Sequence, residues 1–513
     1  MLNFSFSKIP KAYFLILYAI ITSVTIYFHE SWRDEWQAIL VSVHSQSIPQ
    51  LFTLLKLEQH PPLWYLLVRF VWWIYPELVS VKILHILIAF TSAYILLYKI
   101  KYPFYYRLAF LFSYFLLYEY TIICRNYALV ILFGLIAVME LQKPARNYLL
   151  LFIALAGMAL SHVNGILLSL AFCFYFILTS KVNYRNTSFL IIISAYFMVV
   201  ICTCILLHPQ EHHVVISTKF NFFRLIRFFV AIPAYMWNVF VPVSEFKIGF
   251  WDSDLSDGDS NFINGIVISF LKLLKFETAA ETVKYVCYGV KFFIFIPILY
   301  ILINPLLKSY SIIFPLFLFW ILLMLLQGFV YAGFLRHWGF YFISFVFFVF
   351  ISGKEIPFLK YFLIANIYAG LFAVIMEIKY PFTNAKNVAE SLNVLPDNSP
   401  ILINNCMAIS SIYGYLNKPV YYSDFKTKHI FTNWNQAYKD ENITVSITTL
   451  LDSLQKEMAV TNVKQGVLIL FIVNEQNKMA LQNFQKSHST LAVKKFYNSL
   501  SGENFATISL RRN

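Results

Sequence analysis

Long apolar runs separated by short polar turns fill the first three quarters of the chain. Most of these runs have the length of a helix that crosses a membrane, about 20 residues. The pattern therefore predicts a polytopic α-helical membrane protein. The candidate membrane segments are 12–28, 62–75, 79–98, 106–122, 127–142, 148–161, 164–180, 187–207, 284–303, 309–331, 335–352 and 356–377.

The charged turns between these segments predict how the chain is threaded, because lysine and arginine collect on the cytoplasmic side of membrane proteins. The rule places the N-terminus in the cytoplasm if residues 62–98 make one net crossing. Segment 62–75 is short for a span, at roughly 1.5 Å per residue against an apolar layer of about 30 Å, so we expect it to be partly re-entrant or strongly tilted. About eleven crossings follow. The charged turns hold Lys8 and Lys11, Lys99, Lys101 and Arg107, Lys143 and Arg146, Lys181 and Arg185, Lys308, and Lys354.

This threading leaves four regions on the outside, and the third of them is a long loop. Loop 208–283 contains an amphipathic stretch at 220–237, which we expect to lie along the membrane surface. A short apolar stretch at 262–275 is predicted to be interfacial or re-entrant. The outside regions are 29–61, 119–126, 208–283 and 378–513.

The chain becomes more polar after Lys379, and its pattern changes to short β-rich runs. These runs alternate in part with helical patterns, such as TTLLDSLQKEMA at 448–459, which is typical of a small α/β domain. We therefore predict a transmembrane domain at 1–379 and a soluble extracytoplasmic α/β domain at 380–513. The β-rich runs are PILIN (400–404), PVYY (419–422), GVLILFIV (466–473) and FATISL (505–510).

Composition agrees with a membrane protein and excludes some classes. Of the 513 residues, 59% are hydrophobic, and the mean hydropathy is +0.65. The net charge of +14 does not indicate a nucleic-acid partner, because the basic residues lie mostly in short turns between apolar runs. Cys406 alone lies in the polar C-terminal region, so that region has no internal disulfide. The first apolar run lacks a small-residue cleavage site, so we expect an uncleaved first helix.

The first outside loop carries candidate chemistry. Its start, HESWRDEWQAI (29–39), places Asp34 and Glu35 where the first helix leaves the membrane. A solvated loop anchored by tryptophans would explain this stretch without any chemistry. However, the loop predicts two short amphipathic helices with a break near 47–49, and it ends in EQHPPLWYLL (58–67), where two prolines stiffen the return to the membrane. A loop with this much structure is suited to hold something in place.

Further motifs lie at predicted outer ends of helices. YEYTIICRNYAL (118–129) contains Glu119, Arg125 and Tyr127; SHVNG contains His162; and FLRHWGF contains Arg336 and His337. With the Asp34–Glu35 pair, the turn at His60 (HPPLWY) and YPFTNAKNVAESL (380–392), this order resembles the glycosyltransferase-C superfamily. More narrowly, it resembles bacterial transferases related to protein O-mannosyltransferases and aminoarabinose transferases.

The resemblance implies a membrane enzyme that moves a sugar from a polyprenyl phosphate to an acceptor hydroxyl outside the bacterial cytoplasmic membrane, with inversion. Asp34 is the expected general base, with Glu35 as the alternative or as a residue that orients Asp34. Arg125 and Arg336 are expected to bind the leaving phosphate, because guanidinium groups bind phosphate in a bidentate way. The histidines are expected to hold phosphate or sugar hydroxyls. The full substrate-binding set is His60, Glu119, Arg125, Tyr127, His162, Arg336 and His337.

Several alternatives stay open at this stage. A lipid or sugar transporter or flippase without chemistry is a second functional class, although the chain has no visible inverted repeat. A purely structural membrane scaffold is a third class, and it would not require Asp34. The resemblance requires no cofactor, and a divalent cation at Asp34, Glu35 and nearby histidines is left open. The acidic loop WDSDLSDGDS (251–260) fits a calcium site poorly, and HPQEHH (208–213) lacks helical zinc-ligand spacing. The acceptor could be a protein, a lipid-linked glycan or a cell-envelope polymer.

Overall fold

The computed structural model of the chain describes residues 10–180, 187–208, 222–243, 251, 262–274, 280–331, 333–422, 424–432, 434, 446–472 and 475–512. The chain forms two compact units. The first comprises Met1–Tyr27, Gln59–Lys247 and Ser253–Ile375, and the second comprises Phe28–Glu58, Ile248–Asp252 and Met376–Asn513. The first outside loop thus folds with the C-terminal residues.

Helices dominate the first unit. In chain order, the described helices of the whole protein are α1 (Lys11–Phe28), α2 (Arg33–His44), α3 (Ile48–Glu58), α4 (Leu63–Ile74), α5 (Leu78–Tyr94), α6 (Phe104–Leu111), α7 (Tyr127–Leu141), α8 (Tyr148–Ala159), α9 (Val163–Thr179), α10 (Thr187–Leu206), α11 (Phe222–Phe240), α12 (Phe262–Leu273), α13 (Ala280–Leu307), α14 (Tyr310–Leu325), α15 (Leu335–Ser352), α16 (Leu359–Lys379), α17 (Ala385–Leu392), α18 (Ile409–Leu416), α19 (Ile447–Val460) and α20 (Glu475–Ser487).

Within the described residues, seven helices are long and apolar enough to cross a membrane. Shorter apolar helices, among them α4 and α7 to α9, add to them. The predicted class, a polytopic helical membrane protein with a small C-terminal α/β domain, is confirmed; the count of about eleven crossings stays a prediction. The seven are Lys11–Phe28, Leu78–Lys99, Thr187–Leu206, Thr282–Leu307, Tyr310–Val330, Leu335–Ser352 and Leu359–Lys379.

The structure departs from one predicted segment, 106–122. Helix α6 ends at Leu111, and a single π-helical turn follows at Phe115–Glu119. The backbone N–H of Tyr120 reaches back five residues to Phe115 O, at 2.9 Å, so the helical hydrogen-bond ladder changes register there. Such π turns occur mostly at functional sites, and this one ends at Glu119, a predicted site residue.

Helix α15 forms the core of the first unit. Nearly every residue in it is buried, including the phenylalanines and valines of FVFFVF (345–350). A membrane helix that is apolar all round and buried all round must be surrounded by other helices rather than by lipid. Its first turn, which carries Arg336 and His337, is therefore held inside protein.

The second unit contains a six-stranded mixed sheet in the order β3-β2-β1-β4-β6-β5. The central strands β1 and β4 are parallel, with Leu402 paired to Leu468, whereas β4 and β6 are antiparallel, with Leu468 paired to Ile508. The strands are β1 (Ile401–Ile403), β2 (Val420–Tyr422), β3 (Asp424–His429), β4 (Gln465–Ile472), β5 (Val493–Phe496) and β6 (Asn504–Arg511).

Helices cover both faces of this sheet. Alternate residues of β4 point to opposite faces: Val467, Ile469 and Phe471 pack with α17 and α18, whereas Leu468 and Leu470 pack with α19 and α20. A strand that is buried on both faces has apolar residues at nearly every position of its sequence. This explains why GVLILFIV was recognisable from sequence.

Candidate active site

Asp34 and Glu35 lie in the first turn of α2, and the structure gives them different surroundings. Glu35 is fully buried. Its Oε2 accepts a hydrogen bond from the backbone N–H of Trp32 at 3.0 Å and lies 2.8 Å from His29 Nε2. The carboxylate thus closes the first turn of its own helix, where a negative charge is stabilising.

His29 lies between two carboxylates, because its Nδ1 is 2.9 Å from Glu377 Oε1 while its Nε2 faces Glu35. Burial disfavours a charged imidazole. The charges and hydrogen bonds of Glu35 and Glu377 outweigh burial and raise the pKa of His29 to about 9. Glu35 is therefore held in a buried ion pair at neutral pH.

Asp34 remains accessible to solvent. Its side chain is 22% exposed, and Asp34 Oδ1 lies 3.8 Å from Arg33 Nε. The same Nε lies 3.7 Å from Oε1 of Glu503, the residue just before β6. Of the two adjacent carboxylates, Asp34 is the one that can meet a substrate without breaking a buried pair.

The remaining predicted site residues lie in the first unit. His60 precedes the two prolines that lead into α4, and Leu63 N donates to Leu160 O at 3.0 Å, which fixes the turn to the end of α8. Arg125 Nη2 donates to His60 Nε2 at 3.2 Å. Since a guanidinium only donates, neutral His60 carries its proton on Nδ1. Burial, together with the charges of Arg125 and Arg336, lowers the pKa of His60 to about 3.

Tyr127 and His337 form the second contact of the cluster, with Tyr127 OH 2.9 Å from His337 Nε2. The backbone N–H of Phe334 donates to His337 Nδ1 at 2.9 Å, so the proton of neutral His337 is on Nε2. His337 therefore donates to the Tyr127 oxygen.

His162 lies among these side chains. Its Nδ1 accepts from Asn164 N at 3.1 Å, so Nε2 carries the proton of the neutral ring. Its ring centroid is 5.7 Å from that of His60, 5.8 Å from that of His337 and 4.6 Å from that of Tyr127. Burial and the neighbouring positive charges hold the pKa of His162 well below its usual value, which keeps the ring neutral.

Arg336 and Glu119 complete the predicted set. The Arg336 side chain is buried, its guanidinium lies over the Phe334 ring at 4.6 Å, and its carbonyl accepts from Tyr120 OH at 2.6 Å. Glu119, one residue before Tyr120, accepts from Tyr114 OH at 2.7 Å. We name the residues that the structure brings together the cationic cluster: His60, Arg125, Tyr127, His162, Arg336 and His337.

The cationic cluster combines two guanidinium groups, three imidazoles and one phenol hydroxyl. All of its imidazoles have an assigned neutral tautomer, so they add donors without adding charge. Buried guanidinium groups are the usual partners of phosphate or carboxylate.

Sequence reasoning missed several residues around these sites. His29 and Glu377 flank Glu35, Asn164 N fixes the His162 tautomer, and Glu503 contacts Arg33. His29 is the first residue of the motif at 29–39, and that position was a usable signal. Glu377 and Glu503 are 348 and 470 residues away from their partners, so no local pattern pointed to them.

The structure also bears on metal binding. Within the described residues, no group of three or more His, Cys, Asp or Glu side chains could hold a metal ion. The calcium-like loop 251–260, apart from Trp251, and HPQEHH, apart from His208, lie outside the described residues.

No protein-family model and no curated protein matches the chain. Among solved structures, it is similar to two crystal structures of ArnT from Cupriavidus metallidurans. The structure bound to undecaprenyl phosphate is 11% identical with a TM-score of 0.43, and the apo structure is 10% identical with a TM-score of 0.44. Each match covers 97% of both chains.

Proposed function

We propose that the protein is a membrane glycosyltransferase that moves a sugar from a polyprenyl phosphate carrier to an acceptor hydroxyl on the outer side of the bacterial cytoplasmic membrane. The cationic cluster carries this proposal. Four separate stretches of sequence supply it, and each contains a motif from which the sequence predicts a site residue. A phosphate is the ligand that suits two guanidinium groups beside neutral donors.

The reaction requires a base that accepts the proton of the acceptor hydroxyl and positive charge that stabilises the leaving phosphate. The acceptor oxygen attacks the anomeric carbon, its proton passes to Asp34, and the bond between that carbon and the phosphate oxygen breaks. The electron pair of the broken bond stays on the polyprenyl phosphate. Arg125 and Arg336 neutralise the charge that grows there, which is the form of stabilisation that contributes most in such reactions. Attack opposite the phosphate inverts the anomeric centre.

Asp34 is the better choice of base, because Glu35 is engaged by His29 and by the backbone of Trp32. A base must be reachable by the acceptor. Asp34 is partly exposed, whereas Glu35 is fully buried. We assign Glu35 the role of fixing the turn that presents Asp34, and positioned proton transfer of this kind is worth roughly 10²–10⁴-fold in rate.

The same proposal sets the orientation of the chain in the membrane and the class of its substrates. The N-terminus lies in the cytoplasm, and the loop with Asp34 and the C-terminal α/β domain lie outside. The donor is a polyprenyl-phosphate-linked sugar, and the acceptor is a glycan, lipid or protein hydroxyl. The reaction as proposed requires no cofactor and involves no nucleic acid, and a divalent cation at Asp34 and Glu35 stays open.

The deciding experiment measures sugar release from a panel of polyprenyl-phosphate sugars by the purified protein, with candidate acceptors present. Asp34→Asn is compared with wild type, with Glu35→Gln and with Asp452→Asn, which makes the same change at an exposed site on α19. We expect Asp34→Asn to lose at least 100-fold in transfer rate. Asp452→Asn should match wild type.

Other outcomes have clear meanings. Full transfer by folded Asp34→Asn would remove Asp34 as the base. Binding of donors without any turnover, accompanied by their movement across vesicle membranes, would replace the transferase with a lipid or sugar transporter.

A further inference from the structure

Glu503 is a buried carboxylate with no role in the reaction as proposed. It lies just before β6 begins and is 1% exposed. Its Oε2 accepts from Thr383 Oγ1 at 2.6 Å, and its Oε1 accepts from the backbone N–H of Arg33 at 3.3 Å. Arg33 is the first residue of α2, so Glu503 places a negative charge at the N-terminus of the helix that carries Asp34.

The Arg33 side chain connects Glu503 to Asp34. Its Nε is 3.7 Å from Glu503 Oε1 and 3.8 Å from Asp34 Oδ1, so the two carboxylates share one guanidinium. The guanidinium also lies over the rings of Trp32, at 5.3 Å, and Phe471, at 5.9 Å. These rings fix its position between the two acids.

A second set of contacts holds the same helix. Gln37 Oε1 accepts from Thr432 N at 2.9 Å and from the Ser410 hydroxyl, and Gln37 Nε2 donates to Thr432 O at 2.9 Å. Glu58 Oε1 accepts from Gln37 Nε2 at 2.7 Å and from Trp434 Nε1 at 2.8 Å. Helix α2 is therefore fixed at its start and along its length by residues of the C-terminal region.

The charged and titratable groups around Glu503 are few among the described residues. Arg33 and Asp34 face it from α2, and Tyr415 faces it from α18. Burial, with a smaller contribution from the Asp34 charge, raises the pKa of Glu503 to about 7, because it outweighs the Arg33 charge and the Thr383 hydrogen bond. Glu503 thus changes charge near neutral pH.

We infer that Glu503 is a positioning residue for Asp34: it holds the first turn of α2 and shares the Arg33 guanidinium, so that its ionised form strengthens Asp34 as a base. This inference rests on the proposed function, in which Asp34 is that base. A guanidinium beside a carboxylate weakens the hold of that carboxylate on a proton. An ionised Glu503 offsets part of the positive charge of Arg33. Asp34 then holds a proton more tightly than it would beside Arg33 alone.

The test follows the reactivity of Asp34 and needs no sugar substrate. A water-soluble carbodiimide and an amine label protonated carboxyl groups, and peptide mass spectrometry gives the labelling rate at Asp34. At pH 8, where Glu503 is charged, we expect Asp34 to be labelled about 3-fold faster in wild type than in Glu503→Gln, from a shift of roughly half a pH unit. At pH 5, where wild-type Glu503 is neutral, the two rates should agree.

Controls separate this role from simple support of the fold. Asp452→Asn should match wild type at both pH values, and Glu503→Asp should restore part of the pH 8 rate. If Glu503→Gln does not fold, Thr383→Val replaces it. That variant removes a hydrogen bond that stabilises the charged form, and we expect it to move the pH at which the rate changes upward.

Equal rates at pH 8, or the same difference at both pH values, would overturn the inference. Transfer assays then separate it from the proposed function. Loss of activity in Asp34→Asn together with normal labelling in Glu503→Gln would refute the positioning role alone. Activity in Asp34→Asn would refute the base and leave the labelling result intact.

Discussion

The Nε2 of His29 lies 2.8 Å from Oε2 of Glu35, and both side chains are fully buried. The pKa of His29 is raised from its usual 6.5 to about 9. A raised pKa means that the folded protein binds the proton more tightly than the unfolded chain does. The resulting stabilisation is complete below pH 6.5 and is lost as the pH rises through 9.

We therefore expect the apparent melting temperature of the purified protein in detergent to fall between pH 6.5 and 9. The free energy involved is on the order of 3 kcal/mol. His29→Gln should be less stable at pH 6.5 and should lack this pH dependence. His488→Gln, a change in the C-terminal region, is the control and should retain the wild-type curve. A curve for His29→Gln that is parallel to wild type would contradict the ion pair.

The cationic cluster predicts how the protein binds a lipid phosphate. Arg125→Gln removes one guanidinium while keeping a polar side chain of similar length. We expect binding of undecaprenyl phosphate to weaken by roughly 10–100-fold, because hydrogen bonds to charged groups contribute about 1.5–3 kcal/mol. Titration of the purified protein with this lipid provides the measurement. Lys308→Gln, which removes an exposed positive charge, should bind as wild type does.

We expect a change at Tyr127 to have a smaller effect on lipid-phosphate binding than a change at Arg125. His337 donates to the Tyr127 oxygen, so this contact orients the His337 ring within the cationic cluster. Tyr127→Phe removes the oxygen and leaves the His337 N–H without its acceptor. We expect roughly 3–10-fold weaker binding of undecaprenyl phosphate, from the loss of about 1 kcal/mol. A second tyrosine, Tyr105, is exposed, and Tyr105→Phe should have no effect on affinity.

Much of the membrane part could be predicted from the sequence. The apolar segments located most helix ends within a few residues, and 335–352 agrees with Leu335–Ser352. The two loop helices were also predicted, with the break that the structure places between His44 and Ile48. These features depend on the local pattern of apolar residues, which a single sequence contains.

Other features depend on distant partners and could not be predicted. Strand β5, with the sequence VKKF, carries two exposed lysines and has no strong β pattern, yet it pairs with β6. The π turn at Phe115–Glu119 interrupts a run that is uniformly apolar. For the candidate site, the sequence supplied the residue types, but the difference between Asp34 and Glu35 depends on His29 and Glu377. That difference arises from contacts between residues that lie hundreds of positions apart in the sequence.

The close packing of Trp36 against Gly414 gives the last prediction. Trp36 lies on α2, two residues after Asp34, and Gly414 lies on α18. A Cβ atom added at Gly414 would be 2.5 Å from Cε2 and Cε3 of the Trp36 ring, and Tyr415 packs against the same ring with a centroid distance of 5.3 Å. A rigid ring cannot yield as a flexible side chain would. Gly414→Ala must therefore displace α2 or the C-terminal helix against which it packs.

We expect Gly414→Ala to lower the apparent melting temperature by roughly 5 °C, from an overpacking cost of about 2 kcal/mol. Transfer should fall as well, because the displaced helix carries Asp34. Gly289→Ala is the matched control, since its Cβ would meet nothing within 4 Å, and it should not lower the melting temperature. Trp36→Ala removes the clash, so adding Gly414→Ala to it should cost little more. Costs that simply add in the double variant would mean that the two residues do not pack as described.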